Sequence, residues 1–432
     1  MPSNTMPSSH PNWSTASVLT VSIASFSIGV AAADAVRASL GSSAGFVTRS
    51  LSTVSLPEQA QLFDPAELAV LAHVPPPSEF NGTSVFVPPG KTLAGMVEKP
   101  FHVYDEAFLE ILGSNPTLTL IAQTDSDPLF HEAVVWHRAT DEAFFAQNAG
   151  APAAGTGKNK SAIIQKISLK EAMAVAGTKN AVGKVKVETV PTNPQVLNPN
   201  GATNYNGNFI FTGEGMGLDP SALYLVNPEA PYNTTVLVNN YYGRQFNSLN
   251  DVAVNPRNKH IYFTDVTYGY FQDFRPAPVL PNQVYRLNPD TMAATVVADG
   301  FRLPNGIIFS PDGQYAYVTD TGTNSVSKYD YTAPATIYRF TVAADGTFVD
   351  RKTFAFISTG IPDGIHTDAQ GNVYAGCGDG VHVWDPSGTL LGKIFTNGTS
   401  ANFNFMGSGR MVICAETKLY YVTLAACGAP FF

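Results

Sequence analysis

Six oxygen-bearing side chains stand where short apolar stretches of the chain begin, and their chemistry is that of ligands for a hard metal ion. They are two carboxylates and four carboxamides: Glu132, Asn204, Asn250, Asn305, Asp363 and Asn402. Carboxylate and amide oxygens are the ligands that Ca²⁺ and similar divalent cations prefer. Glu132 and Asp363 together would balance the charge of one dication. Such an ion polarises a carbonyl group and lowers the pKa of a bound water molecule.

A repeated unit places three of these side chains at equivalent points. Residues 303–320 contain a polar loop, an apolar strand, a Pro-Asp-Gly turn and a second strand that ends in Thr-Asp. The same order of elements recurs from residue 248 and from residue 361. The spacings between Asn250, Asn305 and Asp363 are 305 − 250 = 55 and 363 − 305 = 58 residues. A unit of this length with several short strands is typical of a propeller blade.

Six such units can be traced, which predicts an all-β protein: a six-bladed β-propeller with an N-terminal extension. In a propeller the first strand of every blade lines the central axis. The residues that lead into these strands would then converge at one end of the channel and gather the six oxygens. The alternative is that Asn and Asp before a strand serve only as turn residues. Asn204 and Asn402 fit that alternative better than the other four.

Two histidines lie close to the leading residues in the sequence. His131 directly precedes Glu132, and His366 follows Asp363 by three positions. Because imidazole titrates near neutral pH, either histidine is a candidate for proton transfer or substrate binding. Each can also be a packed side chain that hydrogen-bonds beside a strand. Asp251 is expected to pin the inner strand of its unit.

The chain divides into three regions: residues 1–33, 34–125 and 126–432. Residues 18–33 are almost all apolar or small and too few to span a membrane, which is typical of a signal peptide cleaved after Ala33, although no Lys or Arg precedes them. Residues 34–125 lack the repeat and are predicted to form an arm on the propeller, with a helix in 101–113 and a strand in 117–121. Residues 126–432 are predicted to form the catalytic propeller.

Composition and sequence signals favour a secreted, turn-rich β protein that does not bind nucleic acid. The chain has 36 Gly and 31 Pro among 432 residues, a net charge of −9 and no basic stripe. Four glycosylation sequons lie beyond the predicted signal peptide, at Asn81, Asn159, Asn233 and Asn397. The three cysteines allow one internal disulfide at most, and Cys414 with Cys427 is the favoured pair because they flank the last strands.

Four phrases occur in this order along the chain: His131 to Trp136 (HEAVVW), Arg244 to Val252 (RQFNSLNDV), Leu303 to Gly306 (LPNG) and Ile361 to Gly364 (IPDG). With them the chain resembles the gluconolactonase/regucalcin-like superfamily, and within it the secreted fungal lactonohydrolases. The resemblance covers about residues 101–425. It implies a six-bladed propeller that binds Ca²⁺ in its axial channel and hydrolyses aldonolactones or related small lactones, such as gluconolactone or pantolactone.

The resemblance also implies roles for particular residues. Glu132, Asn305 and Asp363 correspond to metal ligands, and Asn250 corresponds to a position that binds metal or substrate. Where regucalcin-like proteins have Gly-Glu-Gly-Pro, this chain has Phe-His-Glu-Ala at residues 130–133. That departure leaves the general base open between Asp363 and His131, with His366 as a candidate substrate contact. The implied partner is a small lactone, with no nucleic acid and no membrane.

Two other functional classes remain open at this stage. A paraoxonase-like esterase or phosphotriesterase would use a similar calcium site, and a panel of lactones, aryl esters and phosphotriesters separates it from a lactonase. A strictosidine-synthase-like or purely binding propeller is the non-hydrolytic alternative. In such proteins the set of one Glu, two Asn and one Asp is usually incomplete, whereas here it is complete.

Overall fold

The computed structural model describes residues 55–325 and 328–430, and the predicted signal peptide lies outside this part of the chain. The described residues form twenty-eight strands and five short helices. Six sheets are arranged as the blades of a six-bladed β-propeller. The predicted fold class is therefore confirmed. None of the described helices has the length and apolar character needed to cross a membrane.

Three strands and three helices precede the first blade. They are β1 (Ala60–Leu62), α1 (Pro65–Leu68), α2 (Leu93–Glu98), β2 (Phe101–Val103), α3 (Ala107–Leu112) and β3 (Thr117–Gln123). The side chains of Asp64 and Thr92 cap the first turns of α1 and α2 by accepting hydrogen bonds from backbone N–H groups. The predicted helix in 101–113 is thus a strand followed by a helix, and the predicted strand in 117–121 is β3.

The first three blades follow in chain order, and each is a four-stranded antiparallel sheet. Blade 1 contains β4 (Glu132–His137), β5 (Glu142–Ala146), β6 (Ile164–Ser168), α4 (Leu169–Ala174) and β7 (Glu188–Val190). Blade 2 contains β8 (Pro199–Tyr205), β9 (Asn208–Gly213), β10 (Ala222–Val226) and β11 (Thr234–Val238). A small hairpin of β12 (Asn240–Tyr241) and β13 (Arg244–Gln245) leads to the next blade. Blade 3 contains β14 (Leu249–Val254), β15 (Ile261–Asp265), α5 (Tyr268–Phe271), β16 (Gln283–Asn288) and β17 (Ala293–Ala298).

The remaining blades complete the ring. Blade 4 contains β18 (Pro304–Phe309), β19 (Tyr315–Asp320), β20 (Thr336–Val342) and β21 (Phe348–Phe356). Blade 5 contains β22 (Ile365–Thr367), β23 (Val373–Cys377), β24 (Gly380–Trp384) and β25 (Leu390–Phe395). Blade 6 contains β26 (Asn402–Phe405), β27 (Ser408–Ala415) and β28 (Lys418–Cys427) from the end of the chain.

The N-terminal segment closes the ring by adding strands to two blades. β3 pairs antiparallel with β28 and becomes the fourth strand of blade 6. β2 pairs antiparallel with β25, and β1 pairs with β2, so that blade 5 has six strands. The propeller therefore includes residues before 126, because the last strand of the expected arm belongs to a blade. Closing a sheet with strands from both ends of the chain removes an unpaired edge.

Apolar side chains fill each interface between neighbouring blades. Six buried hydrophobic clusters each contain residues from two adjacent blades. Between blades 6 and 1, for example, Ile121 of β3 lies in one cluster with Val134 and Phe145. Burial of this apolar surface on both faces of every blade stabilises the ring and fixes the positions of the inner strands.

The expected disulfide does not form. Cys377, Cys414 and Cys427 are all free, and only Cys427 is exposed. In the β27–β28 ladder Cys414 pairs with Leu419, whereas Cys427 pairs with Ser408. The two sulfurs therefore belong to opposite ends of the same hairpin. Both cysteines lie in the last two strands, but the register of these strands keeps the two residues apart.

Candidate active site

Five blades each deliver one polar side chain, from the inner strand or from the residues just before it, to a common cavity of about 340 Å³. These side chains are Glu132, Asn200, Asn250, Asn305 and Asp363. All of them are buried, with exposed fractions between 3% and 8%. The structure therefore brings together the four residues expected to form the metal and substrate site. It adds Asn200, which the sequence analysis did not select.

A β-bulge follows the leading residue in four of the inner strands. Register shifts occur between Glu132 and Val135, between Pro199 and Ala202, between Leu249 and Val252, and between Pro304 and Ile307. A bulge inserts an extra residue, bends the strand and changes the direction of nearby side chains. The repeated bulge explains how side chains at the starts of separate strands come to line one cavity.

Glycines allow the leading residues of adjacent blades to approach closely. A Cβ atom on Gly201 would lie 2.3 Å from Asp251 Oδ1, and one on Gly306 would lie 2.5 Å from the Asp363 carbonyl oxygen. A Cβ atom on Gly364 would lie 2.6 Å from Asn402 Nδ2. No side chain fits at these distances. The glycine after Asn200, Asn305 and Asp363 is therefore a steric requirement of the site.

Threonines of each preceding blade hold the backbone of the leading residues. Thr212 Oγ1 donates to the Asn250 carbonyl at 2.6 Å, and Thr264 Oγ1 donates to the Asn305 carbonyl at 2.6 Å. Thr319 Oγ1 donates to the Asp363 carbonyl at 3.1 Å. Asp251 pins its own inner strand as expected, because its Oδ1 accepts from Val252 N at 2.8 Å, and its Oδ2 also links blades 3 and 4 by accepting from Ile307 N at 2.9 Å. The site thus rests on hydrogen bonds between blades.

Glu132 and Asp363 are two of the four carboxyl groups that line the cavity, and the negative charge of Asp363 disfavours the ionisation of Glu132. Burial, followed by the negative charge of Asp363, raises the pKa of Glu132 well above its usual value. Burial raises the pKa of Asp363 to about 6, although the positive charge of His131 opposes the rise. Asn402 Nδ2 donates to Glu132 Oε2 at 2.7 Å, so Asn402 orients this carboxylate. A cation between the two carboxyl groups would favour the ionised form of both.

Several buried oxygens around these carboxyl groups face no donor. Within the described residues, Asn250 Oδ1, Asp363 Oδ1 and Asn402 Oδ1 have no hydrogen-bond partner. Also within that part of the chain, no group of three His, Cys, Asp and Glu side chains is placed to hold a metal ion. Any cation here would therefore depend on amide oxygens as well as on Glu132 and Asp363. The donor set fits a hard divalent ion, which prefers oxygen ligands.

His131 lies at the edge of the same cavity and is paired with a carboxylate. Its Nδ1 lies 3.1 Å from both carboxylate oxygens of Glu416, and its Nε2 lies 3.9 Å from Glu132 Oε1. Burial lowers the pKa of His131, but the charges of Glu416, Glu132 and Asp363 outweigh it and raise the pKa to about 10. Because Nδ1 is bonded to Glu416, Nε2 is the ring nitrogen available to the cavity.

Two sequence-selected residues lie elsewhere. His366 lines a separate cavity of about 60 Å³ farther along the inner strands, where its ring meets Phe403 edge to face. Burial lowers the pKa of His366 to about 3. Asn204 lines the same second cavity and donates through Nδ2 to the Trp136 carbonyl at 2.9 Å. Neither residue reaches the cavity that contains Asp363, so the substrate-binding role expected for His366 has no structural basis at that cavity.

Sequence reasoning missed several residues that line the cavity. Asn200, Glu214, Tyr268 and Glu416 are among them. A signal for the first was present, because residues 199–201 repeat the Pro-Asn-Gly of residues 304–306. The other three come from segments beyond the inner strands, where no repeated pattern marks them. Their contribution depends on how the loops fold over the cavity.

Comparison with known proteins agrees with this arrangement. Residues 192–425 match the family model for the SMP-30/Gluconolactonase/LRE-like region. Lactonohydrolase oryL of Aspergillus oryzae is 29% identical over 359 residues, which cover 78% of this chain and 76% of that protein. The gluconolactonase of Zymomonas mobilis is 29% identical over 198 residues, which cover 43% of this chain and 55% of that protein.

A solved structure shares both the fold and part of the sequence. The gluconolactonase XC5397 of Xanthomonas campestris superposes with a TM-score of 0.59 and 27% sequence identity, covering 75% of this chain and 94% of that chain. The family match includes four of the five inner strands that line the cavity, from Asn200 to Asp363. The chain therefore belongs to the SMP-30/Gluconolactonase/LRE-like family, and its relatives named lactonohydrolase and gluconolactonase place it among the lactone hydrolases.

Proposed function

We propose that the protein is a calcium-dependent lactonase that hydrolyses aldonolactones or related small lactones, such as gluconolactone or pantolactone, to hydroxy acids. The observation that carries this proposal is the set of buried, unpaired oxygens beside Glu132 in one cavity, Asn250 Oδ1 and Asp363 Oδ1 among them. A buried acceptor without a partner costs about 1–3 kcal/mol, which a bound cation would offset. The cavity of about 340 Å³ is also of a size that suits a small ring.

The cation would be held by Glu132, Asn305 and Asp363. When bound, it would supply polarisation of the ester carbonyl and a lowered pKa for a water molecule. Asn250 would either complete the ligand set or hold the lactone carbonyl. The combined negative charge of the Glu132 and Asp363 carboxylates would balance the positive charge of Ca²⁺. The hydrogen bond that Asn402 donates to Glu132 fixes the orientation of that carboxylate.

The residues of the chain would then orient the lactone and move one proton. An amide N–H of Asn250 would stabilise the negative charge that develops on the carbonyl oxygen as water attacks. Asp363 would take the proton of that water, or His131 would take it once a bound cation had lowered the pKa of His131, since both line the cavity. The proton would pass to the ring oxygen as the ester bond breaks, and the product would be the hydroxy acid.

The test is the release of acid from a panel of lactones with and without EDTA. We expect chelation, Glu132→Gln and Asp363→Asn each to lower kcat/KM by about 100-fold or more, because each removes part of the proposed charge balance. The exposed Glu188, paired with Lys186 at 2.9 Å, provides the matched control Glu188→Gln. Full turnover by both site variants with Ca²⁺ chelated would contradict the proposal. Faster hydrolysis of aryl esters or phosphotriesters than of lactones would favour an esterase instead.

We also propose that the protein is exported and glycosylated. The apolar run at residues 18–33 and the four sequons support this proposal. Asn159, Asn233 and Asn397 are exposed, and Asn81 is half-buried. Most of these side chains are therefore accessible for attachment of a glycan.

A further inference from the structure

The cavity contains a polar pair that the proposed hydrolysis does not use. Asn200 and Glu214 line it together with the proposed cation ligands. Both are buried, with exposed fractions of 7% and 2%. Two buried polar side chains beside a reaction centre require hydrogen-bond partners, because unpaired groups of this kind destabilise the fold.

Asn200 has an acceptor that no group of the described residues satisfies. Its side-chain amide lies near enough to the carboxyl group of Glu214 to lower the pKa of that group. Its Oδ1 is buried and has no hydrogen-bond partner within that part of the chain. Since Asn200 occupies the same position in its blade as Asn305 and lines the cavity, the missing donor has to come from the cavity.

Glu214 is held rigidly in place. It lies between Gly213, where a Cβ atom would be 2.6 Å from the Tyr224 ring, and Gly215, where a Cβ atom would be 2.6 Å from the Asp219 carbonyl. Its backbone N–H donates to the Asn198 carbonyl at 2.9 Å. The fully buried Asn198 side chain in turn donates to the Gly215 carbonyl at 2.8 Å. These contacts fix the backbone that carries the Glu214 carboxyl group to the cavity.

The charges around this pair indicate the kind of ligand that fits it. Burial raises the pKa of Glu214 to about 8, while the positive charges of His131 and Arg275 and the bond from Asn200 oppose the rise. A cationic ligand group would be repelled by His131 and Arg275. A hydroxyl group is neutral, donates to an amide oxygen and can also accept from a carboxyl group.

We propose that Asn200 and Glu214 form a hydroxyl-binding subsite that makes the enzyme select lactones with a hydroxyl group on the ring over the same ring without one. This inference rests on the proposed lactonase function and names the two residues that would recognise the hydroxyl group of the substrate. A site built to hydrogen-bond a substrate hydroxyl discriminates strongly against the analogue that lacks it, because its own polar groups are then left unpaired.

The experiment compares α-hydroxy-γ-butyrolactone with γ-butyrolactone at saturating CaCl₂. We expect the wild type to favour the hydroxylated ring in kcat/KM by at least about 10-fold. Asn200→Ala and Glu214→Leu should reduce that preference to about 3-fold or less, because kcat/KM should fall more for the hydroxylated ring than for γ-butyrolactone. Glu214→Gln keeps a group that accepts from Asn200, so it should retain most of the preference.

Control variants and a binding measurement separate this role from others. Asn208→Ala and Glu188→Gln change the same residue types outside the cavity and should retain the preference. Thermal unfolding verifies that each variant is folded, and calorimetric titration measures its affinity for Ca²⁺. Asn200→Ala should leave the Kd for Ca²⁺ within about 3-fold.

Three results would overturn the subsite. The first is an unchanged preference in Asn200→Ala and Glu214→Leu. The second is an equal loss of activity toward both lactones with weakened Ca²⁺ binding, which would make Asn200 a cation ligand while the lactonase function stands. The third is a wild type that opens neither ring, which would remove the proposed function and the subsite together.

Discussion

The two ring nitrogens of His131 have different neighbours, because Glu416 bonds only one of them. Glu416 occupies Nδ1 through both of its carboxylate oxygens, and Nε2 is left 3.9 Å from Glu132 Oε1. A carboxylate that bonds one ring nitrogen fixes the orientation of the ring and therefore the direction of the other nitrogen. His131 therefore presents Nε2 to the cavity that contains Asp363, whereas His366 lines a separate cavity.

A pair of substitutions tests this difference between the histidines. We expect His131→Gln to lower kcat by about 100-fold, which is typical for loss of a proton-transfer group. We expect His366→Gln to leave kcat within about 3-fold, because His366 does not line the cavity. Steady-state kinetics at saturating lactone and CaCl₂ make the comparison, and thermal unfolding verifies the fold of both variants. Full kcat in His131→Gln would leave Asp363 as the proton acceptor.

At the scale of the element, the beginning of each inner strand is the unit that builds the site. A leading polar residue, a bulge, a glycine and a threonine from the preceding blade recur around the ring, and blade 4 combines all four features. The leading side chain supplies the chemistry, and the other features direct it and hold its backbone. The glycines in this arrangement allow the leading residues of neighbouring blades to approach each other closely.

The strand β3 is important for the fold because it pairs with β28 and so closes the ring of blades. Ile121 is completely buried between blades 6 and 1, whereas Leu118 on the same strand is half-buried. We expect Ile121→Ala to lower the free energy of unfolding by about 2–5 kcal/mol and Leu118→Ala to lower it by less. Urea unfolding followed by circular dichroism measures both values. Equal and negligible losses would mean that packing of β3 contributes little to closure.

At the scale of the whole molecule, the ring explains how distant parts of the chain form one site. Glu132 and Asn402 are 270 positions apart and share a hydrogen bond of 2.7 Å. With a net charge of −9, the chain is proposed to bind a small-molecule substrate and not nucleic acid.

Export is a property of the whole chain and can be tested directly. We expect expression in a eukaryotic host to release the protein into the medium with an N-terminus at Asp34. Endoglycosidase treatment should shift the mass by an amount that corresponds to glycans at some of the four sequons. N-terminal sequencing and intact mass provide the measurements. An intracellular product that retains residues 1–33 would contradict export, and the Asn233→Gln variant shows whether that sequon is used.

The sequence by itself determined the six-bladed propeller and the group of Glu132, Asn250, Asn305 and Asp363. It did so because each unit repeats a polar residue before an apolar strand, and radial repetition brings equivalent positions to the same place. Only the tertiary structure decided that Asn200 rather than Asn204 faces the cavity, since strand position determines which end of the channel a side chain reaches. It also decided that Glu214 and Glu416 join the site and that the cysteines remain apart. Those outcomes depend on loop conformation and strand register, which follow from packing between blades and not from any local pattern.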